Sequence, residues 1–219
     1  MSKQLRGFTI IELMISTTVF SLVLMLCLAG IMQITKMYYR GVTQARTREI
    51  ARTVIDEIAE AIRFSSKDIV IGNGVVGPQI DESDDDASVG YFCIGQKRYT
   101  YAIDRQVKES PKANTKEQRH ALWLDQPETC QGAVDLTQEE PSPDGKSLLA
   151  ENMRLYEFSV DQVDPIQRIY TIRIGVAYGD DDLLSVKESD TTQLTCEGAF
   201  VGAEFCSTTN FLVTVQKRL

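Results

Sequence analysis

Histidine occurs once in 219 residues, at His120. A single imidazole excludes multi-histidine metal sites and leaves little scope for acid–base chemistry near neutral pH. No GxxxxGK[ST] stretch is present to cradle a nucleotide phosphate, no GxSxG is found, and one histidine makes HExxH impossible. The five cysteines contain no CxxC pair, so the usual spacing of a structural zinc site is missing. Positive charge is also short. Lys and Arg number 23 against 31 Asp and Glu, a net of −8, so the phosphate backbone is a poor ligand and no specific nucleic-acid partner is expected. The apolar (43%) and charged (25%) fractions are ordinary, which excludes global disorder and a polytopic membrane protein. No catalytic residue, metal or cofactor is expected.

What is there is unevenly spread. Phe8 to Met32 read FTIIELMISTTVFSLVLMLCLAGIM, with one charge, Glu12, and no proline. About 20 apolar residues span a bilayer as a helix. Lys3 and Arg6 precede the run, and the positive-inside rule keeps them cytoplasmic and sends the chain after Lys36 outward. A cleaved secretory signal would have to end near Cys27-Leu28-Ala29, and it would carry Glu12 in its apolar core. A plain single-pass anchor leaves Glu12 without a role. An ionisable group in a membrane segment is costly and needs a partner.

Arg6-Gly7-Phe8-Thr9-Ile10-Ile11-Glu12-Leu13-Met14 resembles the class III signal of type IV prepilins: a short basic leader ending in Gly, then Phe, then Glu at the fifth position of the processed chain. The resemblance implies cleavage between Gly7 and Phe8 by a prepilin peptidase, methylation of the new Phe8 amine, and pairing of Glu12 with the amine of a neighbouring subunit. The implied partners are major and minor pilins, the peptidase and methylase, an inner-membrane platform protein, an assembly ATPase acting indirectly, and membrane lipid before assembly. The implied location is the cytoplasmic (inner) membrane, with the head outside, and then an extracellular or periplasmic filament.

The implied fold is α+β: a long N-terminal helix packed on an antiparallel β-sheet head, the pilin fold. Its parts are a leader (1–7), a transmembrane or filament-core helix (8–35), an amphipathic half (36–66) and a β-rich head (67–219). Independently of the resemblance, Ile50, Val54, Ile58 and Ala61, flanked by Ile55, Ala59 and Ile62, make one apolar stripe on a helix that ends near Phe64. Continuous from Phe8, that helix would be about 85 Å long, with Gly30 and Gly41 as weak points. Arg52–Asp56 and Glu49–Arg52 are spaced for helix ion pairs. Period-two patterns mark strands at Val89–Ile94, Arg98–Asp104, Ala121–Asp125, Met153–Val163, Gln167–Tyr178 and Phe211–Lys217. Turns are expected at Gly95-Gln96 and at Asp164-Pro165. Long connections are expected over 72–88, 108–119, 126–145 and 179–209.

The strand order, with Leu148 to Met153 opening a strand and Thr208 to Arg218 closing the chain, resembles W-type minor pilins and J-type minor pseudopilins of type II secretion. The chain departs from a plain major pilin in its length and long acidic loops, and from the K-type tip pseudopilin in retaining Glu12.

Cys27 lies in the apolar run and reads as a buried small hydrophobe. Cys93, Cys130, Cys196 and Cys206 fall in the exported part, where an even number suggests two disulfides. Three pairings are open. Cys93–Cys130 with Cys196–Cys206 is preferred because both bridges close local loops. The acid runs Asp81–Asp86 and Asp180–Asp182 lack EF-hand spacing and read as solvated loops. His120 reads as a structural residue flanking a strand, and Trp123 as a core aromatic.

Overall fold

A computed structural model describes residues 9–66, 69–71, 89–112, 115–187, 190–196 and 202–218. The chain forms two compact units, Met1–Tyr39 and Arg40–Leu219. The helix α1 (Ile10–Phe64) contributes to both and shows no break at Gly30 or Gly41.

In the first unit every described residue is exposed within the chain. The hydroxyls of Ser16, Thr17, Thr18 and Ser21 each donate to a carbonyl one turn back, at 2.8–3.1 Å. Polar side chains that close their own hydrogen bonds in this way are compatible with a hydrocarbon environment. Among the described residues α1 is the one helix long and apolar enough to cross a membrane.

In the second unit α1 is amphipathic. It buries Thr47, Ala51, Val54, Ile55, Ile58, Ala59 and Ile62. Ile50 and Ala61, expected as full members of the stripe, are only partly buried, and Thr47 and Ala51 take their place on the buried face. The apolar band therefore sits a little further round the helix than the isoleucine spacing suggested. Arg52 pairs with Asp56 at 3.7 Å.

Twelve described strands follow: β1 (Ile69–Ile71), β2 (Val89–Ile94), β3 (Lys97–Ala102), β4 (Gln106–Val107), β5 (Glu117–Gln118), β6 (Leu122–Asp125), β7 (Lys146–Ser147), β8 (Met153–Asp164), β9 (Ile169–Tyr178), β10 (Leu184–Lys187), β11 (Asp190–Cys196) and β12 (Ser207–Gln216). They build two five-stranded sheets, ordered β1-β2-β3-β6-β7 and β12-β9-β8-β4-β5, with β10 and β11 as a separate pair. The pairing is antiparallel throughout except β4–β5, which is parallel with Gln106 opposite Glu117. The expectation of one antiparallel sheet thus resolves into two larger sheets and a separate pair, with parallel contacts at β4–β5 and at the isolated Ile103–Leu155 bridge. The chain leaves the first sheet at Asp104, which adopts φ 57°. Its N–H donates to the Leu155 carbonyl at 2.7 Å, and its carboxylate accepts from Lys116 and Arg154. That anchored turn carries β4 into the second sheet.

One aromatic group joins the sheets. Phe92 stacks on Tyr99 with centroids 4.8 Å apart, and Phe158 from β8 lies 5.5 Å from Phe92 and 4.9 Å from Tyr101. The buried face of α1 belongs to the same core, together with Leu155, Ile172, Ile174 and Val176.

The first sheet is covered on its other face as well. Ala102, Trp123 and Leu136 form a second small cluster, with Val134 against it. Arg98 fixes the covering segment. Its Nε and Nη2 donate to Asp125 Oδ1 and Oδ2 at 3.0 and 2.5 Å, and Nη1 donates to the Gln131 and Gly132 carbonyls. Of the expected connections, 108–119 contains β5 and 179–209 contains β10 and β11. The 72–88 connection and its Asp81–Asp86 run lie outside the described residues.

Candidate processing and assembly site

The described chain starts at Thr9, so Lys3, Arg6, Gly7 and Phe8 lie outside the described residues. Thr9 and Glu12 are described, and they bond to each other reciprocally. The Thr9 N–H and hydroxyl donate to Glu12 Oε2 at 3.0 and 2.7 Å, and the Glu12 N–H donates to Thr9 Oγ1 at 3.3 Å. The Leu13 N–H donates to the Thr9 carbonyl at 3.2 Å, which opens the helix. This is a capping box, T-x-x-E, in which the first N–H groups of a helix and a carboxylate satisfy one another. The carboxylate also lies at the positive end of the helix dipole, where negative charge is favoured.

Sequence reasoning placed Glu12 and left Thr9 without a part. The signal was available: Thr9-Ile10-Ile11-Glu12 before an apolar run is a capping-box signature. The carboxylate has one strong local donor pair and spare lone pairs on Oε1, so it can accept an additional cation without surrendering the cap.

The cysteines are placed as follows. Cys93 is bonded to Cys130, across 37 positions, and Cys196 to Cys206, across 10. Both bonds close local loops. The first fastens β2 to the segment over Trp123, and the second joins the end of β11 to the start of β12. Cys27 is unbonded and exposed within the chain, so any apolar contact it makes comes from outside the chain.

The Asp180–Asp182 run is more engaged than a solvated loop. Asp180 Oδ1 accepts from Gln106 Nε2 and Lys108 Nζ, both at 3.0 Å. These hydrogen bonds, Gln106 first, hold its carboxyl below the usual aspartate range. Asp181 is ion-paired with Arg154, whose side chain is 4% exposed and also meets Asp104. Asp181, together with Asp104, balances that buried guanidinium, because a charge that deep must be paired. Among the described residues no group of three His, Cys, Asp or Glu side chains is arranged to hold a metal ion. His120 lies 4.5 Å from Trp123, ring to ring, and its Nε2 is 3.1 Å from the Glu139 carbonyl. Trp123 is buried and donates Nε1–H to Ser142 Oγ at 2.9 Å.

These features give a chain with an N-terminal helix long and apolar enough to cross a membrane, a capped carboxylate near its start, and a disulfide-bonded α+β unit consistent with a pilin fold. A family profile described as the prokaryotic N-terminal methylation motif matches residues 3–28. That match covers the N-terminal stretch alone and supports a type IV prepilin-like start to the chain. No curated protein and no solved structure matches it.

Proposed function

We propose that the chain is a minor type IV pilin or pseudopilin: a membrane-stored subunit, without enzymatic activity, that enters a type IV pilus or related filament. In this reading a prepilin peptidase cleaves between Gly7 and Phe8 on the cytoplasmic face and the Phe8 amine is methylated. Glu12 then accepts the amine of a neighbouring subunit, the apolar helix packs the filament core, and the head primes assembly or meets a surface or cargo near the tip. Other pilins, the peptidase, the platform protein and, indirectly, an assembly ATPase are its partners. The observation that carries the reading is the methylation motif over residues 3–28, falling where a carboxylate opens an apolar helix.

The test is mass spectrometry of the N-terminal peptide from membranes or sheared filaments, with Glu12→Gln beside the wild type. A peptide starting at methylated Phe8, and loss of assembly in Glu12→Gln, support the reading. A functional protein that retains Met1 or Ser2 refutes it.

One observation favours a second reading, a single-pass anchored binding module that never enters a filament. The Thr9–Glu12 cap gives the carboxylate a partner inside its own chain. Gln serves a capping box as well as Glu. Glu12→Gln therefore keeps the cap and removes the charge: an anchored module is indifferent to it, and a filament subunit is not.

A further inference from the structure

Within the second unit, α1 and the β2–β3 turn bound an open groove of about 990 Å³. Asp56, Glu57, Glu60, Ala61 and Phe64 line the helix side, and among the described residues Lys97 brings the one basic side chain to the lining. Glu57 is taken up by Lys97 and Lys146, at 3.8 and 3.1 Å. Among the described residues Asp56 has only its exposed ion-pair partner Arg52. Glu60 is exposed and has no ion pair among the described residues. Phe64 is 69% exposed, so the groove has an acidic wall beside a bare aromatic ring.

The same helix carries the opposite charge just before this stretch. Arg40, Arg46, Arg48 and Arg52 stand against one acid, Glu49, over residues 40–52. Arg46 and Arg48 are exposed and also have no ion pair among the described residues. A helix that is basic and then acidic along its length repels a copy set level with it. It attracts a parallel copy shifted along the axis, because unlike bands then face each other. Setting Arg48 of one copy against Glu60 of the next requires a shift of about 18 Å at 1.5 Å per residue.

We infer that this groove receives the basic stretch, Arg40 to Arg52, of a second copy of the chain, lying parallel and axially offset. The parallel sense rests on the filament reading, in which all copies start in one membrane. The contact is heterologous, with different surfaces on the two partners, and so it repeats without closing. Neighbouring copies follow from it, which goes beyond a subunit present once as a cap. Single exposed ion pairs contribute little, whereas facing like charges are strongly disfavoured, so charge reversal reads the contact better than deletion.

The experiment uses the full chain in its native membrane. Recovery in the sheared-filament fraction is measured for Arg48→Glu, Glu60→Arg and the double variant. Each single reversal is expected to lower recovery about fivefold, and the double variant to return it to within about twofold. Unchanged single variants overturn the inference. Single losses that the double variant does not repair overturn the second copy as occupant.

A second arm separates this failure from failure of the filament reading. Two tagged copies, both Cys27→Ser, carry Arg48→Cys in one and Glu60→Cys in the other, and are oxidised in membranes. If wild-type chain never reaches the filament fraction, the filament reading fails. A mixed-tag disulfide dimer in membranes then still supports the groove, and its absence overturns it.

Discussion

Replacing Arg98 by methionine tests whether the segment over the first sheet is held by a buried charge pair. The side chains of Arg98 and Asp125 are 10% and 3% exposed. Arg98→Met keeps most of the stem volume but removes both donors to Asp125, and also the donor to the Gln131 and Gly132 carbonyls. Removing one partner of a buried pair costs about 3–5 kcal/mol, because the remaining charge is left uncompensated. An exposed pair such as Arg52–Asp56 contributes only about 0.2–1 kcal/mol. A domain is stable by about 5–15 kcal/mol, so the loss is a large share of the total. Trp123 is the sole tryptophan and sits in the cluster beneath this segment. Urea unfolding of the full chain in detergent, followed by Trp123 fluorescence, therefore reports on the right place. Arg98→Met with Asp125→Leu should recover part of the loss, since no orphaned carboxylate remains. A loss below about 1 kcal/mol for Arg98→Met, or no recovery in the double variant, refutes the reasoning.

Three further outcomes are expected. Loop-closure entropy assigns about 4 kcal/mol to the Cys93–Cys130 bridge and about 3 kcal/mol to Cys196–Cys206, so the paired alanine variant of the first should unfold at lower urea than that of the second. Gly175→Val should cost about 1–3 kcal/mol by overpacking, because a Cβ there comes within 2.5 Å of the Tyr156 ring; Tyr156→Leu should relieve it in the same titration. Burial, with the Glu157 charge adding to it, pushes Tyr156 from 10.0 up to about 12, and burial holds Tyr99 higher still. A phenol whose folded value is raised contributes stability that is complete below pH 10 and is lost as pH rises through its folded value. Absorbance titration should show both phenolates forming late, together with unfolding, and free titration near pH 10 in the folded protein would contradict this.

The long strands were legible because each shows one face to the core. Met153–Val163 and Gln167–Tyr178 were expected, and β8 and β9 are found at Met153–Asp164 and Ile169–Tyr178. Strands of two residues, such as β4, β5 and β7, are too short to carry a period and exist only through their neighbours. The β10–β11 pair escaped notice because it follows the Asp180–Asp182 run, which reads as loop. The two-sided burial of β3 could not be read at all. Arg98, Thr100 and Ala102 look like a solvent face, and Asp125, Trp123 and the distant segment carrying Gln131, Gly132, Val134 and Leu136 make them interior. At the N-terminus, Glu12 was legible as important. Its Thr9 partner is a local matter, a T-x-x-E cap three residues away, which the charge of Glu12 in an apolar run does not itself announce.

Three of the fastenings on the segment over β3 and β6 are the Cys93–Cys130 bond, the Arg98 contacts to the Gln131 and Gly132 carbonyls, and the buried Leu136. Between and beyond them, Thr129, Gln131, Ala133, Asp135 and Thr137 to Glu140 point to solvent. Two of the three fastenings ask nothing of those side chains, since a disulfide and backbone carbonyls do the holding. The outer skin of this part of the head is thus chemically independent of its interior. Substitutions there change what a partner meets and leave the stacking of Phe92, Tyr99 and Phe158 untouched, so one scaffold can wear many exteriors.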